Sequence, residues 1–175
     1  MNRLMLSNTI GTFGAGLNSF LLNSGERMAA LFGIFVWVRG AGKTRTGSEL
    51  FIRAVRFGGC KSPNLVGATA EDVREIMVER ESGILACAPE DFRPEFIPSL
   101  KKLIWPNKVE THIYYGSEPN KARGPQSDYL WCDELAKWQF PEETFDNLLM
   151  GLRLGSNPLC MVTTTVLHQL DQKII

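Results

Sequence analysis

The sequence has 175 residues, 44% apolar and 22% charged, which is enough to close one core of ordinary size and too short for two full domains. Nineteen Lys and Arg balance nineteen Asp and Glu, so no bulk positive field draws the chain to nucleic acid or anionic lipid, and any such contact has to be local. Cys60, Cys87, Cys132 and Cys160 share no metal-ligand spacing and are expected to be reduced thiols. The longest apolar run, residues 31–38, falls far short of the roughly 18 residues of a membrane span.

In chain order, residues 1–30 are rich in Gly, Asn and Ser with no clean period, and Asn8, Thr9, Asn18, Ser19 and Asn23 interrupt any export-signal core. Residues 31–38 are continuously apolar and suit a strand buried on both faces. They run through a glycine loop, Arg39-Gly-Ala-Gly-Lys-Thr44, into a helical pattern carried by Leu50, Phe51, Ala54 and Val55 and ending at Gly58-Gly59. The alternation repeats. Residues 64–68 read as a short strand, and Thr69 caps a helix whose face holds Val73, Ile76, Met77 and Ile84. Pro89, Pro94 and Pro98 then make an irregular connection. Residues 103–105 and 109–115, joined through Pro106-Asn107, read as a hairpin appended to the main sheet. Residues 129–132 are another buried strand, Pro141 opens a helix bearing Phe145, Leu148, Leu149 and Leu152, and residues 159–165 are a last strand. Strands separated by helices predict an α/β fold with a mostly parallel sheet and helices on both faces.

Three places on this pattern carry chemistry. In the first, Gly40, Ala41 and Gly42 supply converging backbone N–H groups, Lys43 reaches a β/γ phosphate and Thr44 offers a hydroxyl to Mg²⁺, all at a helix N-terminus whose dipole favours anions. The strict phosphate-loop pattern asks for a further glycine where Trp37 stands. In the second, the apolar strand ends in Asp133-Glu134: one carboxylate to hold Mg²⁺, the next to orient or deprotonate an attacking water. The third is Thr163-Thr164-Thr165 at a strand's carboxyl end, whose hydroxyls can sense a γ-phosphate. An ordinary glycine turn, a helix-capping carboxylate and strand-favouring threonines are the plain alternatives for each taken alone.

Taken in order, Arg39-Gly-Ala-Gly-Lys-Thr-Arg-Thr-Gly47, Glu79-Arg-Glu-Ser-Gly-Ile84, Leu103-Ile-Trp-Pro-Asn107, Arg123-Gly-Pro-Gln126, Trp131-Cys-Asp-Glu-Leu135, Gly151-Leu-Arg-Leu-Gly155 and Val162-Thr-Thr-Thr165 resemble the ATPase domain of phage large terminase subunits, in the branch of prophages and gene-transfer-agent-like elements. The resemblance implies a P-loop NTPase of the ASCE type, a three-layer sandwich incomplete at its C-terminal end. Its domain map is an unassigned segment 1–30, an ATPase domain 31–166 and a tail 167–175 without a nuclease domain.

The same resemblance implies a motor that uses ATP and Mg²⁺ to drive double-stranded DNA into a capsid. Its partners would be a portal, a small terminase subunit and further copies in a ring, in the cytoplasm of a bacterial host and away from membrane. Lys43 and Thr44 would bind phosphate and Mg²⁺, Asp133 the metal, and Glu134 would be the catalytic carboxylate, with Thr163, Thr164 and Thr165 as the coupling motif. Arg39 would stabilise charge on the γ-phosphoryl oxygens in cis, with Arg123 a weaker candidate. Family members usually carry glycines where Trp37 and Val38 stand, and a catalytically inactive remnant is the alternative reading. A helicase-like ATPase is a third; it would need a second motor lobe that 175 residues cannot hold.

Overall fold

A computed structural model describes residues 31–37 and 42–165, all within one compact unit, Ala29–Val166. The segments 1–30 and 167–175 lie outside the described residues. Among the described residues seven strands, β1 (Leu31–Trp37), β2 (Pro63–Gly67), β3 (Glu95–Ile97), β4 (Lys102–Ile104), β5 (Glu110–Tyr115), β6 (Tyr129–Asp133) and β7 (Leu159–Thr165), form one sheet. Its order is β1-β7-β6-β2-β5-β4-β3, parallel from β1 to β5 and antiparallel beyond. The expected mixed α/β sheet is therefore present, and β7 lies between β1 and β6.

Successive side chains of a strand point to opposite faces, and the core divides accordingly. Leu65, Tyr129, Trp131 and Met161 face one cluster, while Val66, Leu130, Cys132, Cys160 and Val162 face the other. Helix α1 (Lys43–Phe57) covers the first face with Gly47, Ser48, Phe51, Ile52 and Val55, one buried stripe at helical spacing. Phe51 is fully buried and its ring lies 5.4–6.3 Å from those of Tyr129, Trp131 and Trp105. Its truncation to Ala would cost about 3–5 kcal/mol. Helix α2 (Asp72–Glu79) and the single turn α3 (Ile84–Cys87) complete this layer. The other face is covered by the single turn α4 (Pro119–Ala122) and by α5 (Pro141–Gly151), where Pro141 opens the helix and Glu142 and Glu143 meet its positive end.

The expected hairpin is present: β4 pairs antiparallel with β5, which joins the main sheet by pairing in parallel with β2, and β3 adds a further antiparallel strand at the edge. Pro94 and Pro98 flank β3 without occupying it, which an edge strand permits. The helix after Thr69 does not reach Ile84. It is wound in a wide pattern that closes with Arg80 N–H donating to Glu75 C=O, and the chain restarts at Gly83. A Cβ on Gly83 would lie 2.7 Å from the Val78 carbonyl oxygen, so only glycine fits that break.

Candidate functional site

Because β1, β7, β6 and β2 run in parallel, their carboxyl ends form one edge, where open α/β sheets bind ligands. Gly42 stands there as the N-cap of α1 with φ 74°, a left-handed conformation open to glycine at little cost. Lys43 and Thr44 occupy the first turn, both half-buried. The Lys43 ammonium pairs with the Glu134 carboxylate, with side chains only 13% and 14% exposed. The glycine-loop helix and the Asp133-Glu134 pair thus meet in one ion pair.

Asp133 is the last residue of β6 and is 5% exposed. Burial pushes its carboxyl above the usual aspartate value. The hydrogen bond from Thr163 and the charges of Lys43 and Lys137 oppose that shift, and Asp72 reinforces it. The chain turns sharply after Asp133: Glu134 has φ 50° and ψ 47°, left-handed for a residue with a Cβ, at a cost of about 1–2 kcal/mol. The turn is held by the Glu134 N–H donating to the Thr163 carbonyl at 2.7 Å and by the Trp138 indole N–H donating to the Asp133 carbonyl at 3.0 Å. Strain of this kind collects at working sites.

On β7, Thr163 and Thr164 point to opposite faces of the sheet. The Thr163 hydroxyl donates to Asp133 Oδ1 at 2.5 Å and accepts from Trp131 Nε1 at 2.9 Å. Thr164 is 7% exposed, and its hydroxyl has no hydrogen-bond partner among the described residues. Thr165 is described only as the end of β7, in register with Trp37. Arg39, Gly40, Ala41 and Val38 lie outside the described residues. Arg123 is exposed just after α4.

The sequence pattern assigned no role to Trp131, Trp138, Asp72 or Lys137. Gly67, Ala68, Asp72, Ile76, Met77 and Lys137 line a small cavity beside Asp133 and Glu134. Asp72 is tied to its own helix start, accepting from the Thr69 hydroxyl at 3.0 Å, while its N–H donates to that hydroxyl at 3.2 Å. The strand's period of two was the available signal for Trp131, since it puts residues 131 and 133 on one face.

The donor set fits Mg²⁺. Thr44 and Asp133 offer hard oxygen donors, and among the described residues no group of three or more His, Cys, Asp or Glu could cage a metal unaided. An ion that keeps several waters and takes substrate phosphates as ligands suits such a site.

The profile of a family described as "Terminase large subunit, T4likevirus-type, N-terminal" matches residues 34–170. Among curated proteins none matches in sequence. The fold is similar to the solved large terminase ATPase domain of Thermus phage P74-26, with 14% identity, a TM-score of 0.57, and coverage of 80% of this chain and 62% of that one. An arginine-to-alanine variant of that domain gives 13% identity, a TM-score of 0.58 and coverage of 82% and 63%. The large terminase of a thermophilic bacteriophage gives 12%, 0.58, and coverage of 77% and 33%. The chain thus spans less than two thirds of each of these structures.

Proposed function

The chain belongs to the T4-like-virus-type terminase large-subunit family, and from that membership we propose that it is the ATP-binding and ATP-hydrolysing part of a phage DNA-packaging motor. The observation that carries this reading is the Lys43–Glu134 pair, which joins the first turn of α1 to the carboxylates ending β6. In the motor, backbone N–H groups of Gly40, Ala41 and Gly42 cradle the phosphates and the Lys43 ammonium neutralises β/γ charge. Thr44 and Asp133 hold Mg²⁺, whose chemistry is to offset charge gathering on the phosphate oxygens.

Glu134, released from Lys43 when phosphate takes its place, orients the attacking water and accepts its proton. Arg39 supplies charge to the γ-phosphoryl oxygens, and Thr163, Thr164 and Thr165 report its loss to the rest of the sheet. In the complete assembly the partners are double-stranded DNA, a portal, a small terminase subunit and further copies in a ring, in the bacterial cytoplasm. Among the described residues no helix is long and apolar enough to cross a membrane.

The test is steady-state ATP turnover with Mg²⁺, alongside ATP titration calorimetry. Wild type should bind and hydrolyse, and Lys43→Ala should weaken binding. Equal affinity of the two proteins would remove the phosphate-loop assignment, and tight Mg²⁺-ATP binding with no turnover would favour an inactive remnant.

A further inference from the structure

Trp131 is fully buried and two residues before Asp133, on the same face of β6. An indole N–H is a donor only, whereas a threonine hydroxyl has one proton to give and lone pairs to accept with. With Trp131 Nε1 donating into Thr163 Oγ1 at 2.9 Å, the only proton of that hydroxyl is directed to Asp133 Oδ1, 2.5 Å away. The chain of bonds therefore has one direction, from Trp131 through Thr163 to Asp133. It engages Oδ1 with β7 and would leave Oδ2 as the freer oxygen for a metal.

The indole is also clamped from outside. A Cβ on Gly47 would sit 2.3 Å from Trp131 Cζ2, so the α1 backbone rests directly on the ring, and the Phe51 ring lies 5.9 Å from it. Gly47 stands one turn beyond Lys43 and Thr44. Any shift of the turn that carries the phosphate-binding residues presses on the ring whose N–H orients Thr163. Densely packed side chains have discrete arrangements and transmit such shifts.

We propose that Trp131 is a positioning residue for the metal-holding carboxylate: through Thr163 it fixes the rotamer of Asp133, and through Gly47 it ties that rotamer to the seating of α1 on its phosphate. This rests on the Mg²⁺-ATP reading of the site. It joins the glycine-loop helix, the Asp133-Glu134 pair and the threonines through one side chain that touches no substrate.

Two measurements separate the inference from its premise. The first needs no ligand. With ¹⁵N-labelled tryptophan the chain has four indole N–H signals to give, from Trp37, Trp105, Trp131 and Trp138, and the one missing in Trp131→Phe is that of Trp131. Thr163→Val should displace it strongly. Asp133→Asn, which does not touch the indole, should also displace it through the hydroxyl. A Trp131 signal unmoved by Asp133→Asn overturns the relay.

The second is calorimetric titration of ATP with and without Mg²⁺. Trp131→Phe should cut the Mg²⁺-dependent gain in affinity about ten- to a hundredfold, as loss of support behind a metal ligand does, and leave Mg²⁺-free binding unchanged. Thr163→Val should also cut the Mg²⁺-dependent gain, and the double variant should be no worse than Thr163→Val alone. Additive losses, or equal losses with and without Mg²⁺, reduce Trp131 to packing and overturn the proposal. If the wild type shows no Mg²⁺-dependent gain while the indole signal still follows Asp133→Asn, the nucleotide reading fails and the hydrogen-bond relay stands.

Discussion

Two aspartates five positions apart stand at opposite ends of one strand, and their surroundings differ in kind. Asp128, just before β6, accepts from the backbone N–H groups of Lys61 and Ser62 at 2.5 and 3.1 Å, while its own carbonyl accepts from Leu159 N–H at 2.9 Å. It ties the amino ends of β2, β6 and β7 together with rigid main-chain partners. Asp133, at the carboxyl end, is 5% exposed and takes its hydrogen bond from a side-chain hydroxyl. It is followed by a left-handed glutamate and faces Lys43, Lys137 and Asp72. One end of the sheet spends its carboxylate on closing the fold; the other keeps a buried carboxylate and a left-handed glutamate side by side, at a cost to stability.

That contrast predicts that changes at the carboxyl end strike function and those at the amino end strike stability. The largest effect is expected from Glu134→Gln. An amide cannot take up a proton, so turnover should fall roughly 10²- to 10⁴-fold while calorimetric Mg²⁺-ATP affinity holds. A variant hydrolysing at the wild-type rate would dissolve the contrast at its functional end. Lys43→Ala comes next. Losing one charge-assisted phosphate contact costs about 1.5–3 kcal/mol, some tenfold to hundredfold in ATP affinity, read by the same titration.

At the other end, Asp128→Ala leaves two backbone N–H groups without their carboxylate and should destabilise the fold by about 2 kcal/mol. Thermal unfolding would show this as a drop of several degrees at unchanged ATP affinity; lost affinity at unchanged melting temperature would reverse the roles assigned to the two ends. Glu134→Gly removes the left-handed strain and should raise stability by about 1 kcal/mol while abolishing turnover. Equal or lower stability would mean that the Lys43 pair outweighs the backbone term. The smallest effect belongs to the Arg45–Glu49 pair, exposed on α1 with side chains 63% and 56% accessible. Removing Glu49 should shift stability by less than about 0.5 kcal/mol, a baseline for the rest.

Much of this was legible in the sequence, for local reasons. The apolar stretches at 64–68, 129–132 and 159–164 mark strands buried on both faces, which suits a parallel sheet covered by helices. The stripe through Phe51 and Val55 and the proline opening α5 follow from helical geometry alone. Strand β3 was hidden because three residues between prolines have no period to read, and the hairpin's turn says nothing of which strand pairs with its outer edge, here β2. Lys43, Thr44, Asp133, Glu134 and the threonines could be singled out because phosphate and metal chemistry demands particular side chains next to particular backbone turns.

What the sequence determined by itself, then, was the alternation of strand and helix and the kinds of side chain that end the strands, since both depend on near neighbours along the chain. The tertiary structure alone decided that β7 inserts between β1 and β6, that Lys43 reaches Glu134, and that Trp131 and Thr163 meet at Asp133. Those contacts join residues from thirty to 128 positions apart. Their existence depends on strand order and register, and a sheet fixes these only when all its strands are packed at once.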